Sequence, residues 1–365
     1  MERLRRTFAV CDSAYKWFRS YLEDRIQCVR RGSTCSSTVR SDCGVPQGSV
    51  LGPILFLLYT ADLPSIIHQH NLTPHLYADD TQLYGSCRPT DVVALTDRMV
   101  NCVSDIAKWM SSNRLQLNLG KTELLWCTTS RRQNQLPAAH SLSLGGSTVY
   151  PSNCVRNLGI YLDADLTLSA HISRVVARCF WSLRQLRAIR RYVSQSAMQS
   201  LVTSLVLTRL DYGNCVLYGL PEYQLRRLQS VQNAAARLVF RLNRFDPVTD
   251  ALISLHWLRL PQRIIFKLAV LTYRCLHSLA PSYLLNFNPV SSLSNRRNLR
   301  SHNSCQLLIP RTRLSTVGDR SFSVAGAVIW NSLPSDVTCA TSLSSFRRRL
   351  KTHLFHFSFP HVSIS

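Results

Sequence analysis

Acidic residues are scarce in this chain. Its 365 residues carry 20 Asp/Glu against 43 Lys/Arg, a formal net charge of +23. The deficit is not uniform. Residues 1–130 hold 14 basic and 12 acidic side chains, whereas residues 131–365 hold 29 and 8. A near-neutral half followed by a strongly cationic one points the second half toward a polyanion, with general adhesion to acidic surfaces as the simpler alternative. Arg dominates there, and a guanidinium offers phosphate two parallel donors. Long apolar runs are also missing: the longest, Val50 to Tyr59, is too short to span a bilayer. No Cys-x-x-Cys pair occurs among the 13 cysteines. Cys28, Cys35 and Cys43 are seven and eight residues apart with no His nearby, which is wider than zinc sites use. His68 and His70 fit no ligand spacing toward Asp79 and read as loop residues. The opening Met1-Glu2-Arg3-Leu4-Arg5-Arg6 has no apolar signal core. Free thiols are therefore expected, without disulfide partners, in an intracellular compartment, nuclear or cytoplasmic.

What is present is chemistry-bearing. Tyr77-Ala78-Asp79-Asp80 sits between Leu76 and the strand-favouring Leu83-Tyr84, so a tight hairpin with the carboxylate pair at its tip is predicted. Two adjacent anions repel unless a cation bridges them, and hard oxygens suit Mg²⁺ or Mn²⁺ completed by substrate phosphates. That equipment serves metal-assisted phosphoryl transfer, although an Asp-rich turn is by itself common. Upstream, Gly44-Val45-Pro46-Gln47-Gly48-Ser49-Val50-Leu51-Gly52-Pro53 opens the apolar stretch Ile54 to Tyr59. Pro46 and Gly48 predict a sharp turn, and Pro53 suits the first turn of a buried helix. The loop would present Gln47, the Gly48 backbone and Ser49 to a large flat substrate.

The two motifs in this order resemble the palm of reverse transcriptases from non-LTR (LINE-type, jockey-like) retrotransposons. Leu115 to Glu123 is similar to the next block of that family, with Lys121 on a loop behind the active site. Val155 to Asp163, with Gly159 at its turn, resembles the hairpin that grips the primer end. Trp17 to Leu22, Asp211-Tyr212-Gly213 and Ala327 to Pro334 extend the resemblance over nearly the whole chain. The resemblance implies an RNA-directed DNA polymerase with RNA template, DNA primer and deoxynucleoside triphosphates as partners. It implies Asp79 and Asp80 as metal ligands, and Tyr77, Pro46, Gln47, Gly48 and Ser49 against template and nucleotide. Lys121 would assist pyrophosphate departure. One departure matters. The family's first catalytic Asp lies in an Asp-x-x-x-Ala-Phe-Asp type block, and no such block occurs here. The chain therefore reads as the carboxyl-terminal part of an element-encoded polyprotein. Two rival readings stand: a non-catalytic nucleic-acid-binding remnant, and a decayed sequence that never folds stably.

The expected fold class is α+β: a partial palm over residues 1–164, a helical thumb-like domain over 165–290, and a basic linker with a terminal segment over 291–365. An amphipathic helix is predicted over 1–24, strands near 26–31 and 38–43, and a helix from Pro53 to about Pro64. Pro89-Thr90-Asp91 caps a long helix through Met110. Glu123–Cys127 is strand-like, and Ser141–Val149 reads as a hairpin turning at Gly145-Gly146. Farther on, Ile172, Val175, Val176, Cys179, Leu183 and Leu186 form one helical stripe. Arg174, Arg178, Arg184, Arg187 and Arg191 fill the remaining arc, where they could track a nucleic-acid backbone or simply be solvated.

Overall fold

Apolar residues repeating every three to four positions close into helices wherever one face finds a core, and the short polar-flanked runs pair as hairpins. The computed structural model describes residues 1–41, 44–45, 48–129, 141–144, 146–285, 287–292 and 306–361. Helices combine there with five two-stranded antiparallel sheets, an α+β chain. It divides into two compact units, residues 1–124 with 130–152, and residues 125–129 with 153–365.

The first unit opens with α1 (Glu2–Arg6) and α2 (Asp12–Leu22) instead of one helix over 1–24. Ala9 adopts a φ of 49°, which a right-handed helix cannot continue through. Arg3 anchors α1: it pairs with Asp62, and its guanidinium lies over the Tyr59 and Trp109 rings at 5.7 and 5.8 Å. Strands β1 (Ile26–Gln27), β2 (Arg30–Arg31), β3 (Thr34–Cys35) and β4 (Val39–Arg40) are two residues each. They pair β1 with β4 and β2 with β3. All their side chains are exposed, so no buried face extends them to the predicted lengths. The predicted 53–64 helix is two: α3 (Gly52–Tyr59) and α4 (Leu63–Gln69), with Pro64 in the first turn of α4. Nor is α3 buried. It is apolar on every side, so whichever face packs leaves another out, and Ile54 and Leu57 stay half exposed.

Next come β5 (Thr73–Tyr77), β6 (Asp80–Tyr84) and α5 (Val92–Ser112), whose Val92, Leu95, Cys102 and Ile106 are buried. Strands β7 (Leu142–Leu144) and β8 (Ser147–Val149) form the predicted hairpin; Gly145 of its turn lies outside the described residues. The strand expected at Glu123–Cys127 reduces to one bridge, Leu124 with Pro151.

The second unit begins with the hairpin β9 (Cys154–Asn157) and β10 (Ile160–Asp163), then α6 (Ser169–Ile189). Asp163 caps α6 by accepting from the Ala170 amide at 3.3 Å. The chain continues as α7 (Gln195–Val202), a π turn at Thr203–Leu207, and α8 (Thr208–Asp211), with the Ser194 hydroxyl capping the start of α7. Then follow α9 (Glu222–Phe240), α10 (Thr249–Ser254), α11 (Leu260–Leu276), α12 (Ser315–Gly318), α13 (Phe322–Ser332), α14 (Ser335–Thr338) and α15 (Leu343–Ser358). One apolar cluster runs from Leu168 to Phe359. At its centre Tyr273 stacks on Phe346 at 4.4 Å, and its hydroxyl donates to the Ala340 carbonyl. Asn331 bonds both the amide and the carbonyl of Leu307 at 2.8 Å.

Candidate functional site

Tyr77 pairs directly with Asp80, which leaves Ala78 and Asp79 as a two-residue loop. The tip is therefore Ala78-Asp79, and Asp80 is the first residue of β6. Ala78 takes a left-handed φ of 53°. That conformation costs a non-glycine residue about 1–2 kcal/mol, held here by the five-pair ladder of β5 and β6. Asp79 and Asp80 are both exposed, as is Tyr77. Neither carboxylate has an ion pair among the described residues. Two adjacent hard anions at a rigid turn fit one divalent ion whose remaining ligands are water or phosphate oxygens. Among the described residues no cluster of three Asp, Glu, His or Cys side chains forms around a common point, so the donor set is a partial one.

The other expected residues of this unit occupy separate elements. Gly48 has a φ of +80°. The Ser49 hydroxyl accepts from the Gly52 amide at 3.0 Å, so it starts α3. Pro46 and Gln47 lie outside the described residues. Lys121 ends a single 3₁₀ turn, Leu119–Lys121, and is exposed. Tyr77, Asp79 and Asp80 are thus brought together at one turn. Among the described residues no bond joins Ser49 or Lys121 to that turn.

In the second unit the β9–β10 turn is clamped from α8. The Tyr212 hydroxyl donates to the Leu158 carbonyl. Its ring lies so close to Gly159 that an added Cβ there would stand 3.1 Å from it; Gly159 also has a φ of +86°. Gly213, at φ +63°, lets the chain pass Ile160, whose Cδ1 would be 2.5 Å from a Cβ. Asp211 is held by Arg263 through two hydrogen bonds, the Nε one at 2.8 Å. The sequence marks Asp211-Tyr212-Gly213 only as a family block. Its use as a clamp depends on a contact 54 residues away, which no local pattern reveals.

The expected arginines divide by partner. Arg174 stacks over the Tyr161 ring at 3.8 Å and Arg191 over Tyr192 at 4.7 Å. Arg178, Arg184 and Arg187 are exposed and form no ion pair among the described residues. The arginines of α9 are occupied: Arg226 pairs with Glu222 at 2.8 Å, and Arg227 donates to the Ser173 hydroxyl at 3.0 Å. Arg190, which the sequence does not distinguish from its neighbours, donates to the carbonyls of Leu238 and Val239 at 2.9 and 2.8 Å. It closes the end of α9.

The family model for reverse transcriptase (RNA-dependent DNA polymerase) matches residues 2–162. This segment is similar to reverse transcriptases. Enzymes of that family are nucleotidyltransferases that work with divalent metal ions. A probable RNA-directed DNA polymerase from transposon BS of Drosophila melanogaster is 30% identical over 240 residues, covering 62% of this chain and 25% of that protein. A probable RNA-directed DNA polymerase from transposon X-element of the same species is 29% identical over 243 residues, covering 60% and 24%. The RNA-directed DNA polymerase from its mobile element jockey is 27% identical over 221 residues, covering 57% and 22%. The chain spans about a quarter of the length of these relatives. They bear out the resemblance to reverse transcriptases of non-LTR retrotransposons drawn from the motifs. No helix among the described residues is long and apolar enough to cross a membrane.

Proposed function

We propose that this chain is the palm and thumb portion of an RNA-directed DNA polymerase that copies RNA into DNA for a non-LTR retrotransposon. The observation that carries this reading is the Tyr77–Asp80 turn, which exposes two adjacent carboxylates inside the family-matched segment. Asp79 and Asp80 would hold Mg²⁺ (or Mn²⁺). Bound there, the metal supplies charge neutralisation for the phosphates and the attacking oxygen. The Gly48 backbone, free of a Cβ, admits the flat faces of base pair and nucleotide, with Tyr77 beside them. Lys121 donates a proton to the departing pyrophosphate. The β9–β10 turn, fixed by Tyr212, holds the primer end, and the arginines of α6 follow the backbone of template and primer.

Catalysis needs a further carboxylate, and we assign it to an Asp-bearing strand supplied upstream. Residues 1–365 alone should therefore extend a DNA primer on an RNA template little or not at all. With that strand restored in cis, synthesis should appear. Asp79→Ala should then lower it by at least about a hundredfold, the loss that misplacing a reacting group produces. Robust Asp79-dependent extension by residues 1–365 alone would remove the need for a third ligand. A second reading, a non-catalytic nucleic-acid-binding remnant, is favoured by the incomplete donor set. Binding that persists with no extension after the upstream strand is restored would select it.

A further inference from the structure

We propose that the outward face of α6 is a single-strand platform on which Trp181 stacks an unpaired base while Arg178 and Arg184 hold the flanking phosphates. This rests on the nucleic-acid reading above and names the form of nucleic acid that the face prefers. Trp181 is 58% exposed, on the side of α6 opposite its buried Ile172, Cys179, Leu183 and Leu186. A large aromatic there adds nothing to the core. Arg178 and Arg184 flank it three residues before and after, the spacing at which helix side chains are neighbours. All three side chains are exposed. Among the described residues the indole packs against no other ring, and neither guanidinium has an acidic partner. The whole helix, Ser169–Ile189, carries four Arg and no Asp or Glu. A lone exposed apolar residue needs no explanation. An indole between two unpaired cations, on a helix without one anion, is complementary to a polyanion that also offers flat π faces. Paired bases in a duplex keep those faces stacked on one another, so the platform favours unpaired nucleotides. Every base has such a face, so the preference is for strandedness and not for sequence.

The test uses the full chain, a labelled mixed-sequence RNA single strand and a blunt duplex of equal length, by anisotropy at fixed salt. Trp181→Ala should weaken single-strand binding roughly five- to a hundredfold, the range for loss of one stacked base, and leave duplex binding within about twofold. Trp181→Phe should retain most of the affinity. Arg178→Gln and Arg184→Gln should weaken both ligands and each lower the salt slope by about one. If Trp181→Ala changes neither ligand, or both equally, the platform is overturned while the phosphate contacts stand. If Trp181→Phe loses as much as Trp181→Ala, the indole serves some other contact, such as a protein partner, and stacking is again overturned. If the unmodified chain binds neither strand, the nucleic-acid reading itself fails.

Discussion

Gly213 and His171 show how single residues of the second unit carry its strain and its charge. Gly213 holds a φ of +63°, and Ile160 fills the space a Cβ would need. The Ile160 Cδ1 can swing away, so the backbone conformation dominates the cost. Gly213→Ala should destabilise by about 1–2 kcal/mol, read as a lower midpoint in urea denaturation. Gly213→Asn should cost less, because Asn tolerates left-handed backbone. An unchanged midpoint for the Ala variant would mean that the Asp211–Asn214 turn does not fix the hairpin. His171 is buried at 4% exposure, and its Nδ1 has no hydrogen-bond partner among the described residues. Burial pushes its pKa below the ordinary 6.5, and the nearby Asp163 charge only partly opposes this. The unfolded chain therefore takes up a proton first as pH falls. Stability contributed by neutral His171 is complete above the ordinary value and is lost below it. Melting curves should fall from about pH 7 to about pH 5, and His171→Leu should flatten that fall. Identical pH profiles for the two proteins would exclude His171 as the source.

At the scale of elements, Arg190 joins two helices. It follows α6 and donates to the terminal carbonyls of α9, groups that no helical amide can reach. Arg190→Ala should cost about 1–3 kcal/mol, the range for charged hydrogen bonds to otherwise unpaired carbonyls, and Arg190→Lys should recover only part of it. Hydrogen exchange at the end of α9 is the direct measurement, and unchanged protection there would deny the cap. Long elements with a repeated apolar stripe were legible in advance, as in Val92–Ser112 and Ser169–Ile189. One periodic face decides such helices locally. The break at Ala9 and the split of α3 from α4 were not legible, because backbone reversals there follow contacts made far along the chain, such as Arg3 with Asp62. The strands near 26–40 shrank because none has a buried face to favour length. At the site, the motif spacing announced the carboxylate turn but placed its tip one residue late. A left-handed Ala at position 78 has no residue-type signal, unlike Gly or Asn. Trp181 had a signal, an aromatic between arginines at helical spacing. The periodic apolar stripe on the opposite face is the stronger pattern in that stretch and marks only the core side.

For the whole molecule the decisive property is the segregation of charge. The first 130 residues are nearly balanced, and the remainder carries 29 basic against 8 acidic side chains. Metal-binding carboxylates are best served by a near-neutral surrounding, since a surplus of fixed cations would compete with the metal for them. A surface that follows a nucleic-acid backbone needs the opposite, cations without local anions to neutralise them. Residues 131–365 meet that need twice over. Their acids are few, and two are already paired with arginines, Asp211 with Arg263 and Glu222 with Arg226. Binding by the full chain should therefore be driven by counterion release and be nearly blind to sequence. RNA and DNA strands of unrelated sequence should bind alike. If some six phosphates are engaged, affinity should fall about a thousandfold between about 50 and 200 mM salt. Adding an excess of unlabelled polyanion should displace them all. An affinity that stays flat over that salt range would locate the binding energy in contacts other than phosphate, and the cationic half would then need another explanation.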